Sequence, residues 1–362
     1  MEFLKFLLLM IIIIIFLYCL YRLMQKKKSL LMQRELVTET GSSTMIEGFS
    51  LFGDPASNEF SALKNDASSG ISNILIGNAN LPLKEYVVKS SFNSAMTGLY
   101  FNLNMIKYVL GRGCRFLDFE VYSFEDVPYV AYAADNNFTN VDSYNKLLLG
   151  DVLSLVAASA FVSPSPNPND PLFIHLRIKS FNNNIFEAIS TIVSNTIATR
   201  LNTCDVTTDT LLSSLLGKII LIVDKQLAPN YKKYSTCDPT STANCNDLTS
   251  QVNMESGGDY MRIYNFSKLL DLSIMPPYIY SDGTTDVGTL RLAIPDNGTN
   301  MANPSVYEFI VDYGSQFVAL PFYIKDTNLE NYEKIFSDNK SAFVPFNVMI
   351  PYLNNLNDND NI

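Results

Sequence analysis

Two short segments carry the side chains best suited to chemistry. In "GCRFLDFEVY" Asp118 and Glu120 stand two residues apart, and in "PLFIHLRIK" His175 and Arg177 do the same. Successive side chains of a strand point to opposite faces, so each pair shares a face. Asp118, Glu120 and Tyr122 oppose Leu117, Phe119 and Val121, while His175, Arg177 and Lys179 oppose Leu172, Ile174, Leu176 and Ile178. Two carboxylates on one face can ligate a hard cation, exchange protons, or accept from a guanidinium. A third segment, "KSSFNSAMTG", places Phe92 and Asn93 at the end of a strand-like run. Proton exchange near neutral pH is histidine chemistry, because the unperturbed imidazole pKa is about 6.5. The chain has one histidine, His175, and a phenylalanine cannot transfer a proton.

These segments belong to a repeating pattern. Apolar runs such as "GCRFLDFEVY", "PYVAYAAD", "PLFIHLRIK", "GKIILIVD" and "QFVALPFYI" alternate with helix-like stretches such as "GDVLSLVAASAF" and "IFEAISTIVSNTIATRL". Strand and helix in alternation imply a parallel sheet with covered faces. So many units in one stretch predict an α/β fold, a closed (β/α)8 barrel, whose polar inner residues gather at the C-terminal mouth. Asp118, Glu120 and Arg177 are then neighbours around one mouth, and His175 lies below it. The organisation expected is an anchor with basic flank over 1–28, a linker over 29–80, a barrel over 81–352 and a polar tail over 353–362. Within the barrel segment, about 227–258 reads as a surface insertion around the long polar stretch "DPTSTANCNDLTSQVNMESGGD".

The N-terminus predicts a membrane contact. "FLKFLLLMIIIIIFLYCLY", Phe3 to Tyr21, is apolar except for Lys5. As a helix it would run roughly 28 Å, close to the hydrocarbon thickness of a bilayer. A cleaved signal peptide would need a shorter apolar core and a small-residue cleavage site, and "YCLYRLMQKKK" offers none. Arg22, Lys26, Lys27 and Lys28 follow the span, so the positive-inside rule keeps the remaining chain cytosolic. Four N-x-S/T sequons, at Asn137, Asn265, Asn297 and Asn339, oppose that orientation but arise easily in a chain rich in Asn, Ser and Thr. Five cysteines form no zinc-type spacing, and Cys237 and Cys245 could bridge only in an oxidising space. A net charge of −10 argues against nucleic acid as a partner.

The ordered series of motifs resembles eukaryotic phosphoinositide-specific phospholipase C. "LPLKEYVVKSSFNSAMTG" is similar to the opening of that family's X region, "GCRFLDFEVY" to its GCRxxELDxW strand, "VPYVAYA" to its third strand and "LLGKIILIVDK" to its LKGKILxKxKK strand. "LRLAIPDNGT" and "DYGSQFVALPFYIKD" resemble its Y region. The X-like region spans about 81–226 and the Y-like region about 259–352. The resemblance implies a phosphodiesterase barrel that cleaves phosphatidylinositol phosphates with two histidines and one Ca²⁺. Its histidine positions fall on Phe92 and Tyr132. Its calcium positions fall on Asn93, Asp118, Glu120 and Arg177, the last replacing an anion with a cation. Its substrate-phosphate positions fall on Lys225 and Asn300, the latter in place of an arginine.

Phe92, Tyr132, Arg177 and Asn300 together point to a lost activity. The expectation is a membrane-anchored, inactive phospholipase C-like protein with no cofactor, calcium being expected only if activity is retained. It would act as a structural or binding scaffold for protein partners, with a phosphoinositide headgroup as a further ligand. The abundance of Asn is consistent with an AT-rich genome, and suggests a virion or minor capsid protein of a large DNA virus. The alternative is a phosphoric diester hydrolase acting on phosphatidylinositol lipids with non-standard residues. In either case the expected location is a single-pass membrane protein, with Arg177 reaching the carboxylates of Asp118 and Glu120.

Overall fold

Runs rich in Val, Ile, Leu and Phe, too short for buried helices, become strands covered on both faces. The computed structural model describes residues 54–64, 69–134, 138, 140–234, 247–271, 288–296 and 302–360. Its strands are β1 (Tyr86–Ser91), β2 (Phe116–Phe124), β3 (Val127–Val130), β4 (Leu147–Leu148), β5 (Leu172–Lys179), β6 (Ile219–Asp224), β7 (Met254–Ser256), β8 (Met261–Asn265), β9 (Leu290–Ile294), β10 (Phe317–Leu320) and β11 (Phe343–Pro345). Eight of them pair in parallel and close on themselves in the order β1-β2-β5-β6-β7-β8-β9-β10, with β10 returning to β1. This is the expected closed TIM-type (β/α)8 barrel.

Three strands lie outside the barrel. β11 pairs antiparallel to β1, and β3 and β4 extend antiparallel from β2. The "PYVAYAAD" run therefore folds back on β2 rather than joining the barrel. Glu125 and Asp126 both have positive φ, 52° and 65°, the backbone of the tight two-residue turn that matches strand twist.

Helices cover the barrel by burying one stripe each. Leu103–Gly111 buries Met105, Ile106, Val109 and Leu110, and the Asn102 side chain caps it by accepting from the Asn104 N–H. Asn184–Thr196 buries Ile185, Phe186, Ile189 and Val193, and Thr327–Asp338 is capped by Asp326, whose Oδ1 accepts from the Leu329 N–H at 2.9 Å. Register matters most between β2 and β5. Asp118 pairs with His175, Glu120 with Arg177 and Tyr122 with Lys179 across that seam.

Three boundaries differ from the expected organisation. Residues 54–80, assigned to a loose linker, include the helix Pro55–Leu63, which packs Ala56 and Leu63 inward. Its Glu59 carboxylate accepts from the Thr97 hydroxyl at 2.6 Å and from the Leu99 and Tyr100 N–H groups at 3.1 Å each. The expected insertion contains the helix Leu248–Gln251 and barrel strand β7, a strand of three residues and thus too short to show a period. The polar tail continues the helix Phe346–Asp360, whose Leu353 is buried. Among the described residues no helix is long and apolar enough to cross a membrane. The expected anchor, Phe3–Tyr21, lies outside the described residues, as do Cys237 and Cys245.

Candidate functional site

The inner faces of β2 and β5 converge with the loop after β1. Phe92 follows the last residue of β1, and its N–H donates to the Leu320 carbonyl of β10 at 3.0 Å. Asn93 then takes a left-handed φ of 40°, a conformation in which Asn is favoured over most residues. The turn is held by the Asn93 N–H donating to Asp118 Oδ2 at 3.1 Å and the Ser94 N–H donating to the Asp118 carbonyl at 2.9 Å. The loop is thus pinned to the carboxylate it approaches.

Arg177 is the centre of the cluster. Its Nε and Nη2 donate to the two oxygens of Asp118 at 2.9 and 2.8 Å, the paired geometry a planar guanidinium offers a carboxylate. Its Nη1 donates to Glu120 Oε2 at 2.8 Å, and Nη2 also reaches Asn93 Oδ1 at 2.9 Å. The guanidinium carbon stands 4.6 Å from the centre of the Phe92 ring, within cation–π range. The alternation of strand residues predicted the contacts of Arg177 with Asp118 and Glu120, and the register of β2 with β5 makes them.

The remaining carboxylate valences are also occupied. Lys179 Nζ lies 2.7 Å from Glu120 Oε1, which also accepts from the Tyr122 hydroxyl at 2.6 Å and the Ala133 N–H at 3.3 Å. His175 Nδ1 lies 2.8 Å from Asp118 Oδ1, and its Nε2 lies 2.8 Å from Ser256 Oγ. Asp118 and Glu120 thus each accept from four donors. Both carboxylates and His175 are fully buried, and Arg177 is only 5% exposed. Phe92, Tyr132 and Tyr323 close around them at 5%, 3% and 7%.

Electrostatics follows from this packing. Burial alone would raise the pKa of Asp118, but the Arg177 guanidinium and the His175 ring outweigh it and hold the carboxyl well below its ordinary range. Arg177 is moved the other way: burial would lower its pKa, and Asp118 and Glu120 raise it further above its already high value. Asp224, at the end of β6, has its pKa raised by burial, against the opposing pull of His175 and Arg177. Burial likewise raises the pKa of Tyr323, with Tyr132 and Glu120 adding to it.

Calcium does not fit this arrangement. A Ca²⁺ site needs six to eight oxygen ligands with an excess of negative charge. Here Asp118 and Glu120 are already matched by Arg177 and Lys179, and each carboxylate oxygen faces a donor. Among the described residues no group of three His, Cys, Asp or Glu side chains is placed to hold a metal.

One other constellation has the connectivity of a nucleophile relay: Ser256, His175 and Asp118 in line. Ser256 and His175 have no exposed surface, and Asp118 is shared with Arg177. No substrate carbon or phosphorus can approach a hydroxyl in that position without opening the barrel.

Of the residues assigned from the sequence, Phe92, Asn93, Asp118, Glu120 and Arg177 meet, and Tyr132 lines the same wall close to Tyr323. Lys225 stands apart: it donates to Glu255 at 3.2 Å and its side chain is 44% exposed. Asn300 lies outside the described residues. Lys179, Tyr122 and Ser256 complete the cluster without having been marked by any motif. Lys179 and Tyr122 were detectable as the next inward positions of their strands. Ser256 was not, since its strand of three residues is too short to carry a period.

Comparison with known proteins agrees with this fold. Residues 79–225 match the family model of the phosphatidylinositol-specific phospholipase C X domain. Over that stretch the chain is similar to the X-domain family. Among solved structures, S. officinalis PLC21 superposes with a TM-score of 0.56 at 16% identity, covering 75% of this chain and 38% of its own. L. pealei PLC21 gives 0.54 at 16% identity, with the same 75% and 38% coverage. A calcium-dependent phosphoinositol-specific phospholipase C from a Gram-negative Pseudomonas gives 0.47 at 11% identity, covering 78% of this chain and 100% of its own. The present chain matches only 38% of the length of the two PLC21 proteins, and at such identities the likeness defines a fold. No curated protein matches the sequence.

Proposed function

We propose that this protein uses a phospholipase C barrel as a membrane-tethered structural or binding scaffold and does not itself hydrolyse phosphodiesters. The observation that carries the reading is the Arg177 guanidinium, bonded to Asp118, Glu120 and Asn93 in the place where a metal would need free oxygens. Phe92 and Tyr132, at the two positions assigned to acid–base histidines, supply no group that exchanges protons near neutral pH. The test is release of inositol phosphates from phosphatidylinositol and phosphatidylinositol bisphosphate vesicles by the purified full chain, with and without Ca²⁺. General acid–base groups contribute on the order of 10²–10⁴-fold each, so no release above a protein-free control is expected.

A second reading, hydrolysis by non-standard residues, is favoured only by the line of Ser256, His175 and Asp118. Turnover that disappears in both Ser256→Ala and His175→Ala would establish it. Tethering rests on the apolar run Phe3–Tyr21 and the lysines after it. Its orientation is tested by expression in a cell with a secretory pathway, where a glycosidase-sensitive mass shift would reverse it. The Asn-rich composition supports a setting in the membrane or minor capsid of a large DNA virus. Crosslinking in purified membrane or virion fractions would identify protein neighbours, and headgroup binding without turnover would add a lipid ligand.

A further inference from the structure

The N-terminal end of the barrel, opposite Arg177, carries a group of cations. Gly217 and Lys218 immediately precede β6, and Leu201 bridges to Ile219 at its start. Between these two stretches lies a cavity of about 400 Å³, lined by Thr199, Arg200, Leu201, Thr203, Gly217 and Lys218. That is the scale of a small-molecule site. The chain as a whole is acidic, at −10, yet this depression is lined by cations and hydroxyls.

Among the described residues neither cation is paired with a carboxylate. The ion pairs among the described residues engage Lys84, Lys89, Arg112, Arg177, Lys179, Lys225 and Lys232, not Arg200 or Lys218. Arg200 is positioned by other means. Its guanidinium lies 4.5 Å from the Phe161 ring centre, and Nη1 donates to the Gly217 carbonyl at 3.3 Å. Lys218 Nζ donates to Asn202 Oδ1 at 3.3 Å, which uses one of its three donors. Arg115, fully buried, stands 6.0 Å from the centre of the same Phe161 ring but donates to the Ala160 carbonyl, Ser165 Oγ and Asn167 Oδ1, so it does not serve the depression. Two cations lining one depression make it attractive to an anion, the more so at low ionic strength.

We propose that this end of the barrel is a binding site for a phosphate group, held between Arg200 and Lys218. The donor set selects phosphate over carboxylate. A guanidinium fork, an ammonium and the hydroxyls of Thr199 and Thr203 match a tetrahedral dianion, whereas one carboxylate would leave a cation unneutralised. The volume leaves room for a small group carrying the phosphate, so a soluble phosphomonoester and a phosphomonoester lipid share the required chemistry.

The experiment uses the full chain, titrated with inorganic phosphate by calorimetry, with chloride at matched ionic strength as the screening control. Saturable binding is expected with phosphate and not with chloride. Arg200→Gln and Lys218→Gln should each weaken it about tenfold, the loss of one charge-assisted contact, while Arg200→Lys should weaken it less. Both side chains are exposed, so the variants should melt as the parent does without ligand. A second arm adds phosphatidylcholine vesicles with or without phosphatidic acid. Phosphate-reversible capture only by the phosphatidic acid vesicles identifies a lipid source, and calorimetric binding without capture identifies a soluble one. Absence of both, or equal binding by the Gln variants and the parent, would overturn the proposal.

Discussion

Replacing Arg177 with alanine tests whether a fixed guanidinium holds the barrel mouth together. The variant removes two hydrogen bonds to Asp118, one to Glu120 and one to Asn93. Three of these are between ions and would be worth about 1.5–3 kcal/mol each if independent, a raw sum of roughly 4.5–9 kcal/mol. That is an upper bound, because the bonds share one side chain and the carboxylates keep other donors. Asp118 retains His175 and the Asn93 N–H, and Glu120 retains Lys179, Tyr122 and the Ala133 N–H. Breaking one partner of a buried pair costs about 3–5 kcal/mol, and that range is expected here. In a domain of this size it would lower Tm on the order of 10 °C. Circular dichroism melts and urea titrations of parent and variant provide the measurement. Arg177→Glu adds a third carboxylate, so its Tm should rise with Ca²⁺ while the parent's does not. An alanine variant within about 1 kcal/mol of the parent, or a parent stabilised by Ca²⁺ at this mouth, would refute the reasoning.

Other outcomes follow from the same contacts. Asp118 has a depressed pKa in the folded state, so its contribution is fully present above the unfolded value of about 3.9 and is lost as pH falls toward the folded one. The stability gap between parent and Arg177→Ala should therefore narrow between about pH 5 and pH 2.5, measured by urea titration. Ser256→Ala leaves His175 Nε2 without its hydroxyl partner in a dry interior and should cost about 1–3 kcal/mol, read from the same titrations. Glu59→Ala strips the acceptor from the Thr97 hydroxyl and the Leu99 and Tyr100 N–H groups, loosening the helix Pro55–Leu63 by about 1–2 kcal/mol. Faster proteolytic cleavage near that helix, with an unchanged barrel fragment, is the expected result.

Much of the architecture was readable along the chain because long strands carry their own signal. β2 has nine residues and β5 has eight, enough for period-two alternation to place Asp118, Glu120, His175 and Arg177 on inner faces. The motif order gave the barrel. Short elements escaped: β7 has only three residues, and its Ser256 became visible as a partner of His175 only once β7 lay beside β6. The helix Phe346–Asp360 contains Pro351, which reads as a stop signal in sequence although the helix continues through it.

Residue types alone determined that Phe92 cannot do proton chemistry and that Arg177 brings a positive charge to a pair of carboxylates. Composition and the apolar run at Phe3–Tyr21 likewise shaped the expectation of a membrane contact without any folding. The tertiary structure decided everything that depends on register. Pairing Glu120 with Arg177 and Asp118 with His175 across β2 and β5 puts the guanidinium on both carboxylates at once. A shift of one residue would have turned those side chains to the outer face. Only the closed barrel brings Lys179, Tyr122 and the Asn93 turn onto the remaining lone pairs. That closure brings together groups distant in sequence, and it leaves the two carboxylates occupied by protein donors.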